Sequence, residues 1–198
     1  GRARVRWQPL GVVGIIVPWN YPLFLAIGPL TAELYTRHPG ISLTVVETSQ
    51  DSIEAGLLAD ELDVGIAFVG APVPGIDFAA LFTEHLGLVT SGPRAGNLPS
   101  PLPVHAMDDV ELALLSSDFL TRTHIDTYFA AHHVDPRIIV EANSVQALTE
   151  IVHRTPLATV LPDAVTHDHP HLTPVPLDPP IPTRTVAILR RAGGYHSA

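Results

Sequence analysis

The sequence predicts an α/β fold built as two lobes, and three observations carry that expectation. Short apolar runs alternate with stretches of helical periodicity, the pattern of an α/β protein with a largely parallel sheet. The alternation runs through twice, in two series of similar size, which points to two lobes with a cleft between them. The chain has 198 residues, 46% of them hydrophobic, enough for one sizeable core or two small ones.

The elements follow in order. Residues 10–17 are an apolar run closed by Pro18 and read as a buried strand. Residues 22–38 read as a helix, with Asn20 as a cap and His38-Pro39-Gly40 as the stop. Residues 41–47 alternate and are β-branched, so they predict a strand. Asp51-Ser52-Ile53-Glu54 has capping-box spacing ahead of a helix over 53–60. Residues 63–68 form an unbroken apolar strand, followed by a loop rich in glycine and proline through Gly75.

The second series opens with a strand over 82–89 and a loop over 92–103. A strand over 110–115, a helix over 123–132 and a strand over 137–141 come next. Asn143 and Ser144 cap a helix over 145–154. Strands over 157–161, 172–177 and 185–190 complete the pattern, the first two separated by a turn of His, Asp and Pro.

Composition excludes several classes. Mean hydropathy of +0.26 is too high for a disordered chain. No apolar run reaches the roughly 18–20 residues that cross a bilayer, and no secretory signal is visible, so the expectation is a soluble, cytoplasmic protein without a membrane partner. The net charge is −9 and every basic residue is arginine, scattered apart from Arg2, Arg4, Arg6 and the pair Arg190–Arg191. Proteins that grip phosphates carry a basic stripe, so this chain by itself is expected not to bind DNA directly. Absence of cysteine removes thiolate metal sites and any cysteine nucleophile. Gly11-Val12-Val13-Gly14 lacks the third glycine of a dinucleotide fingerprint, so no cofactor is expected. His167-Asp168-His169-Pro170-His171 reads as a solvated connector and not a metal site, and no catalytic residue stands out.

Motifs in the body of the chain are more specific. They are Ile27-Gly28-Pro29-Leu30, Tyr35-Thr36-Arg37-His38-Pro39, Asp60-Glu61-Leu62-Asp63-Val64-Gly65-Ile66-Ala67-Phe68 and Leu81-Phe82-Thr83-Glu84. Leu115-Ser116-Ser117-Asp118-Phe119, Glu141-Ala142-Asn143-Ser144, Arg154-Thr155 and Thr159-Val160-Leu161-Pro162 follow in order. In this series the chain resembles the effector-binding domain of LysR-type transcription regulators, nearest to the branch that governs the cyanate operon. The resemblance implies a type II periplasmic-binding-protein-like fold with a small anionic, cyanate-like effector in the cleft. It implies effector contacts at Thr48, Ser49, Ser116, Ser117, Asn143 and Ser144. It also implies a homodimer through the helices over 29–38 and 123–132. Helix starts can hold an anion without lysine, because their N–H groups are unpaired and their dipoles are positive.

Residues 8–23 read differently. Gln8-Pro9-Leu10-Gly11 through Val17-Pro18-Trp19-Asn20-Tyr21-Pro22 resembles the aldehyde dehydrogenase segment that ends in Pro-Trp-Asn. The chain therefore resembles a junction of two families. The implied organisation is a fused segment over 1–26, lobe I over 27–86 plus 175–198, and lobe II over 87–174. The regulator's own first strand is replaced, and its helix-turn-helix and terminal helix are expected to be missing, as in a truncated remnant. The alternative, a fragment of an NAD(P)-dependent aldehyde dehydrogenase, would be inactive, since that chemistry needs a cysteine nucleophile.

Overall fold

A computed structural model describes residues 12–17, 31–33, 35–38, 40 and 42–193. Described residues up to Phe82, together with those from Val186 onward, form one compact unit, and Thr83–Thr185 form a second.

The first unit is built on a five-stranded sheet. Its strands are β1 (Val12–Val17), β2 (Ser42–Glu47), β3 (Val64–Phe68), β4 (Ile76–Glu84) and β12 (Arg184–Arg191), in the order β2-β1-β3-β12-β4. β1 pairs in parallel with β2 from Val12–Ser42 to Val17–Glu47, and with β3 at Ile15–Val64 and Ile16–Gly65. The strand expected over 10–17 thus enters this sheet with neighbours on both sides; Leu10 and Gly11 lie outside the described residues. β12 closes antiparallel on β3, from Val186–Phe68 to Leu189–Gly65.

Helix α1 (Gln50–Leu58) covers β3. Ile53 and Leu57, one turn apart, bury completely against Ala67, Ala187 and Leu189. Gly65 is where helix and strand approach most closely: a Cβ there would lie 2.3 Å from Ile53 Cγ2. The capping box expected at Asp51 is not used. Ser49 is the cap, accepting from Ser52 N at 3.3 Å, and the helix starts three residues earlier than expected because that setting aligns Ile53 and Leu57 with the sheet. The helix expected over 22–38 is helical at 31–33 and 35–37, and the remainder, with its Asn20 cap, lies outside the described residues.

The second unit has two apolar clusters. Its strands are β5 (Leu86–Ser91), β6 (Leu102–Pro103), β7 (Glu111–Leu115), β8 (Arg137–Ala142), β9 (Thr159–Pro162), β10 (Leu172–Val175) and β11 (Leu177–Asp178). Its helices are a short α2 (Gly92–Ala95), α3 (Leu120–Ala131) and α4 (Val145–Arg154). β7 and β8 are parallel, and a parallel bridge between Leu112 and Ala158 joins β7 to the segment entering β9. Alternation along β7 sends successive side chains to opposite faces. Leu112 and Leu114 pack with Ile125, Tyr128 and Phe129 of α3, while Ala113 and Leu115 pack with Val145, Leu148 and Val152 of α4. The sheet is therefore sandwiched between two apolar layers.

Several expectations are corrected here. The strands of this unit do not form one largely parallel sheet: β7–β8 and β6–β11 are parallel pairs, but β5 runs antiparallel to both β9 and β10. The strand expected over 82–89 is two strands broken at His85, and the one expected over 172–177 is β10 and β11, which pair with different partners, β5 and β6. The loop over 92–103 contains α2 and β6. Helix α3 begins at Leu120 and not at 123, because Thr121 and Arg122 have buried partners that a solvated turn would not provide.

Candidate functional site

Parallel strands end together, and here the ends of β7 and β8 bring four of the six expected site residues to one edge. Leu115 is in register with Ala142, and Ser116 N donates to Ala142 O at 2.9 Å. That bond holds Ser116 and Ser117 beside Asn143 and Ser144. Ser117 and Asn143 are exposed. Ser116 Oγ reaches Asp118 Oδ2 at 3.5 Å. Ser144 caps α4, accepting from Ala147 N at 3.3 Å, so its hydroxyl is already occupied by the helix. Thr48 and Ser49 belong to the first unit, where they follow β2; Ser49 likewise caps its helix and also touches Ser52 Oγ at 2.9 Å. Of the six, Ser117 and Asn143 have side chains most available to a ligand.

Sequence reasoning missed the charged groups behind this edge. Arg122 is 7% exposed, and its guanidinium donates to Leu115 O at 2.7 Å, Glu141 Oε1 at 2.9 Å and Asp126 Oδ1 at 2.8 Å. Burial opposes its charge, but the bonds to Asp126 and Glu141 prevail and hold its pKa above the ordinary value. Glu84, 4% exposed, is bonded by Arg184 Nε at 2.9 Å and also by Arg184 Nη2, which reaches Thr121 Oγ1 at 3.0 Å. Burial raises the Glu84 pKa and lowers that of Arg184, each being the larger effect, while their mutual attraction opposes it. No local signal marks these residues as buried: the pair of Arg122 and Asp126 has ordinary helix spacing, and Glu141, Glu84 and Arg184 find their partners far along the chain.

The same helix holds the returning chain. His124 Nε2 contacts Pro182 O at 2.8 Å, and the Tyr128 hydroxyl donates to Pro179 O at 2.5 Å. Burial, and secondarily the negative charge of Asp178, push the Tyr128 phenol up to about 12. Ultraviolet titration should therefore show one tyrosine ionising late, a component that disappears in Tyr128→Phe. Loss of no late component in that variant would contradict the buried contact.

Among the described residues, no group of three or more His, Cys, Asp or Glu side chains is placed to hold a metal ion. His171 of the His-Asp-His-Pro-His turn instead stacks on His153, with ring centroids 4.1 Å apart. Among the described residues, no helix is long and apolar enough to cross a membrane.

Comparison with known proteins gives this arrangement a lineage. The LysR substrate binding domain family matches residues 23–198, the greater part of the chain. The chain belongs to that family. LysR domains of this kind are regulatory and not enzymatic, so the alternative of an enzyme fragment is set aside for the body of the chain. The aldehyde dehydrogenase family matches only residues 1–37, which supports the reading of a junction between two families.

Individual relatives divide in the same way. A probable coniferyl aldehyde dehydrogenase of Pseudomonas aeruginosa is 42% identical over 91 residues, covering 42% of this chain and 18% of that protein. The nitrogen assimilation regulatory protein nac of Escherichia coli is 26% identical over 136 residues, covering 69% of this chain and 44% of that protein. The chain thus spans less than half the length of both. Among solved structures, the regulatory domain of CcmR from Synechocystis PCC6803, in complex with 2-PG, has a TM-score of 0.79 at 21% identity, covering 96% of this chain and 91% of that one. CbnR, a LysR family transcriptional regulator, has a TM-score of 0.70 at 17% identity, covering 92% of this chain and 64% of that one. These likenesses establish the LysR-type, periplasmic-binding-like fold.

Proposed function

We propose that this LysR domain senses a small anionic effector at the strand ends that carry Ser116, Ser117, Asn143 and Ser144; Thr48 and Ser49, which follow β2 in the first unit, are proposed as effector contacts within that unit. The observation that carries this reading is the shared edge of β7 and β8, where an exposed hydroxyl and an exposed carboxamide adjoin the start of α4. Unpaired helix-start N–H groups and two neutral donors can bind negative charge without lysine. Support also comes from domains of like fold that are described with 2-PG, with shikimate and with sulfate. A cyanate-like anion remains one member of that class.

We read the protein as organised into a fused segment over 1–26, lobe I over 27–86 plus 175–198, and lobe II over 87–174. We also read it as a homodimer whose contacts include α3 and the helix over 29–38. A net charge of −9 argues against direct DNA binding by this stretch of sequence itself.

The test is calorimetry and thermal unfolding with sulfate, shikimate, cyanate and azide. A ligand that binds only the native protein must raise its melting temperature by mass action. At least one anion should do so, and Ser117→Ala or Asn143→Ala should weaken its binding about tenfold, the worth of a hydrogen bond to a charged group. No stabilisation by any of the four, or unchanged affinity in both variants, would overturn the reading.

A further inference from the structure

We infer that Thr121 and Arg122 are positioning residues that couple the effector-site edge to both strands by which the chain passes between its two units. The inference rests on the effector reading for the identity of the edge, but its geometry is independent of any ligand.

Successive residues on a helix point about 100° apart, so neighbours can serve different surroundings. Arg122 addresses the site. Its bonds to Leu115 O and Glu141 Oε1 seize β7 at the residue before Ser116 and β8 two residues before Asn143. Thr121 addresses the chain crossings. Its hydroxyl accepts from Arg184, which holds Glu84, and these two residues lie beside the crossings at Phe82–Thr83 and Thr185–Val186. The residues at the centre of these links are buried, Thr121 2% exposed, Arg122 7% and Glu84 4%, while the Glu141 carboxylate at the site end is half exposed. Bonds excluded from water resist rearrangement, because a broken one leaves a desolvated polar group behind. Any ligand that draws on Ser116 or Asn143 therefore displaces Leu115 and Glu141, and with them Arg122. The displacement reaches Arg184 and Glu84 through the single peptide unit between Arg122 and Thr121. A contiguous chain of packed, hydrogen-bonded groups is what carries coupling between distant sites.

The test is native-state amide exchange on the full chain, without ligand. Thr121→Val keeps the side-chain shape and removes the acceptor; Thr121→Ser restores it. Val152→Ala, in the α4 layer, controls for loss of stability alone. Thr121→Val should accelerate exchange of the Ser116 amide, and of the β12 amides from Val186 to Leu189, by about tenfold more than the control, and Thr121→Ser should reverse this. Faster exchange confined to the first turn of α3, with Ser116 at its wild-type rate, would overturn the inference. If Thr121→Val does not fold, Arg122→Lys decides the matter from the other end. It keeps the charge but loses the planar fork, and should accelerate exchange in β12, which it does not touch; an unchanged β12 would refute the coupling. The four anions separate this result from the effector reading. Where none of sulfate, shikimate, cyanate and azide binds the wild type, that reading falls while the exchange measurement still decides the coupling.

Discussion

Replacing Arg184 with alanine should cost the second unit about 3–5 kcal/mol, the typical penalty for stranding one partner of a buried ion pair. The carboxylate left behind, Glu84, is 4% exposed, and its Oε1 has no hydrogen-bond partner among the described residues even with Arg184 in place. The pair itself is not a source of net stability. Burial moves both groups towards neutrality, upward for Glu84 and downward for Arg184, so attraction between them does not repay their desolvation. The double variant Glu84→Leu/Arg184→Met should accordingly recover most of the loss.

The pH dependence has a definite sign. A carboxyl whose folded pKa is raised takes up more protons folded than unfolded, so its contribution is most favourable below the unfolded value. It declines as pH rises through that value towards the folded one. Removing Arg184 removes the main opposing influence and carries the Glu84 pKa further upward. Urea unfolding followed by circular dichroism should therefore show Arg184→Ala less destabilised at pH 5 than at pH 7.5. Equal destabilisation at both values would contradict a buried, charged Glu84.

The second large effect belongs to the first unit. Leu57→Ala should cost about 2–5 kcal/mol, the usual penalty for emptying a buried leucine site. Among the described residues, Leu57 is fully buried in a cluster with Ile53, Ala67, Ala187 and Leu189. Two turns of α1 rest on this cluster, so the space left by the leucine falls where helix and sheet meet. Amide exchange should show β3 and β12 losing protection at lower denaturant than β7 and β8. Simultaneous loss in all four strands would mean that the two units unfold together.

Legibility of the fold in the sequence tracked how local its causes are. The helix over 145–154 was readable to the residue because Ser144 caps it immediately ahead of Val145, and a cap acts within one turn. β3 was readable because an unbroken apolar run needs no partner to identify it. The capping-box spacing points to Asp51 as the cap, and only the sheet against which Ile53 and Leu57 pack selects Ser49, two residues earlier. The antiparallel direction of β5 is decided by β9 and β10, about which residues 86–91 say nothing. The break at His85 follows a glutamate that looks solvated in sequence and is buried only because Arg184 arrives 100 residues later.

The site divides along the same line. Ser116, Ser117, Asn143 and Ser144 stand at strand ends and could be placed near one another from the strand pattern, since parallel strands finish on one edge. Arg122 could not. Its i,i+4 partner Asp126 looks like an ordinary surface pair on a helix, and its other anchors are a backbone carbonyl and Glu141.

The order of strands in the first unit has a consequence for the protein during synthesis. β12 lies inside the sheet, between β3 and β4, yet it is the last of the described strands to be made. At roughly 5–20 residues per second, a ribosome needs several seconds to go from the end of β4 to β12. Throughout that interval β3 and β4 are without the strand that separates them, and each offers an unpaired edge on which another nascent chain could add itself. The unit enclosed between the two crossings can fold as it emerges, but the one that encloses it must wait for the final strand.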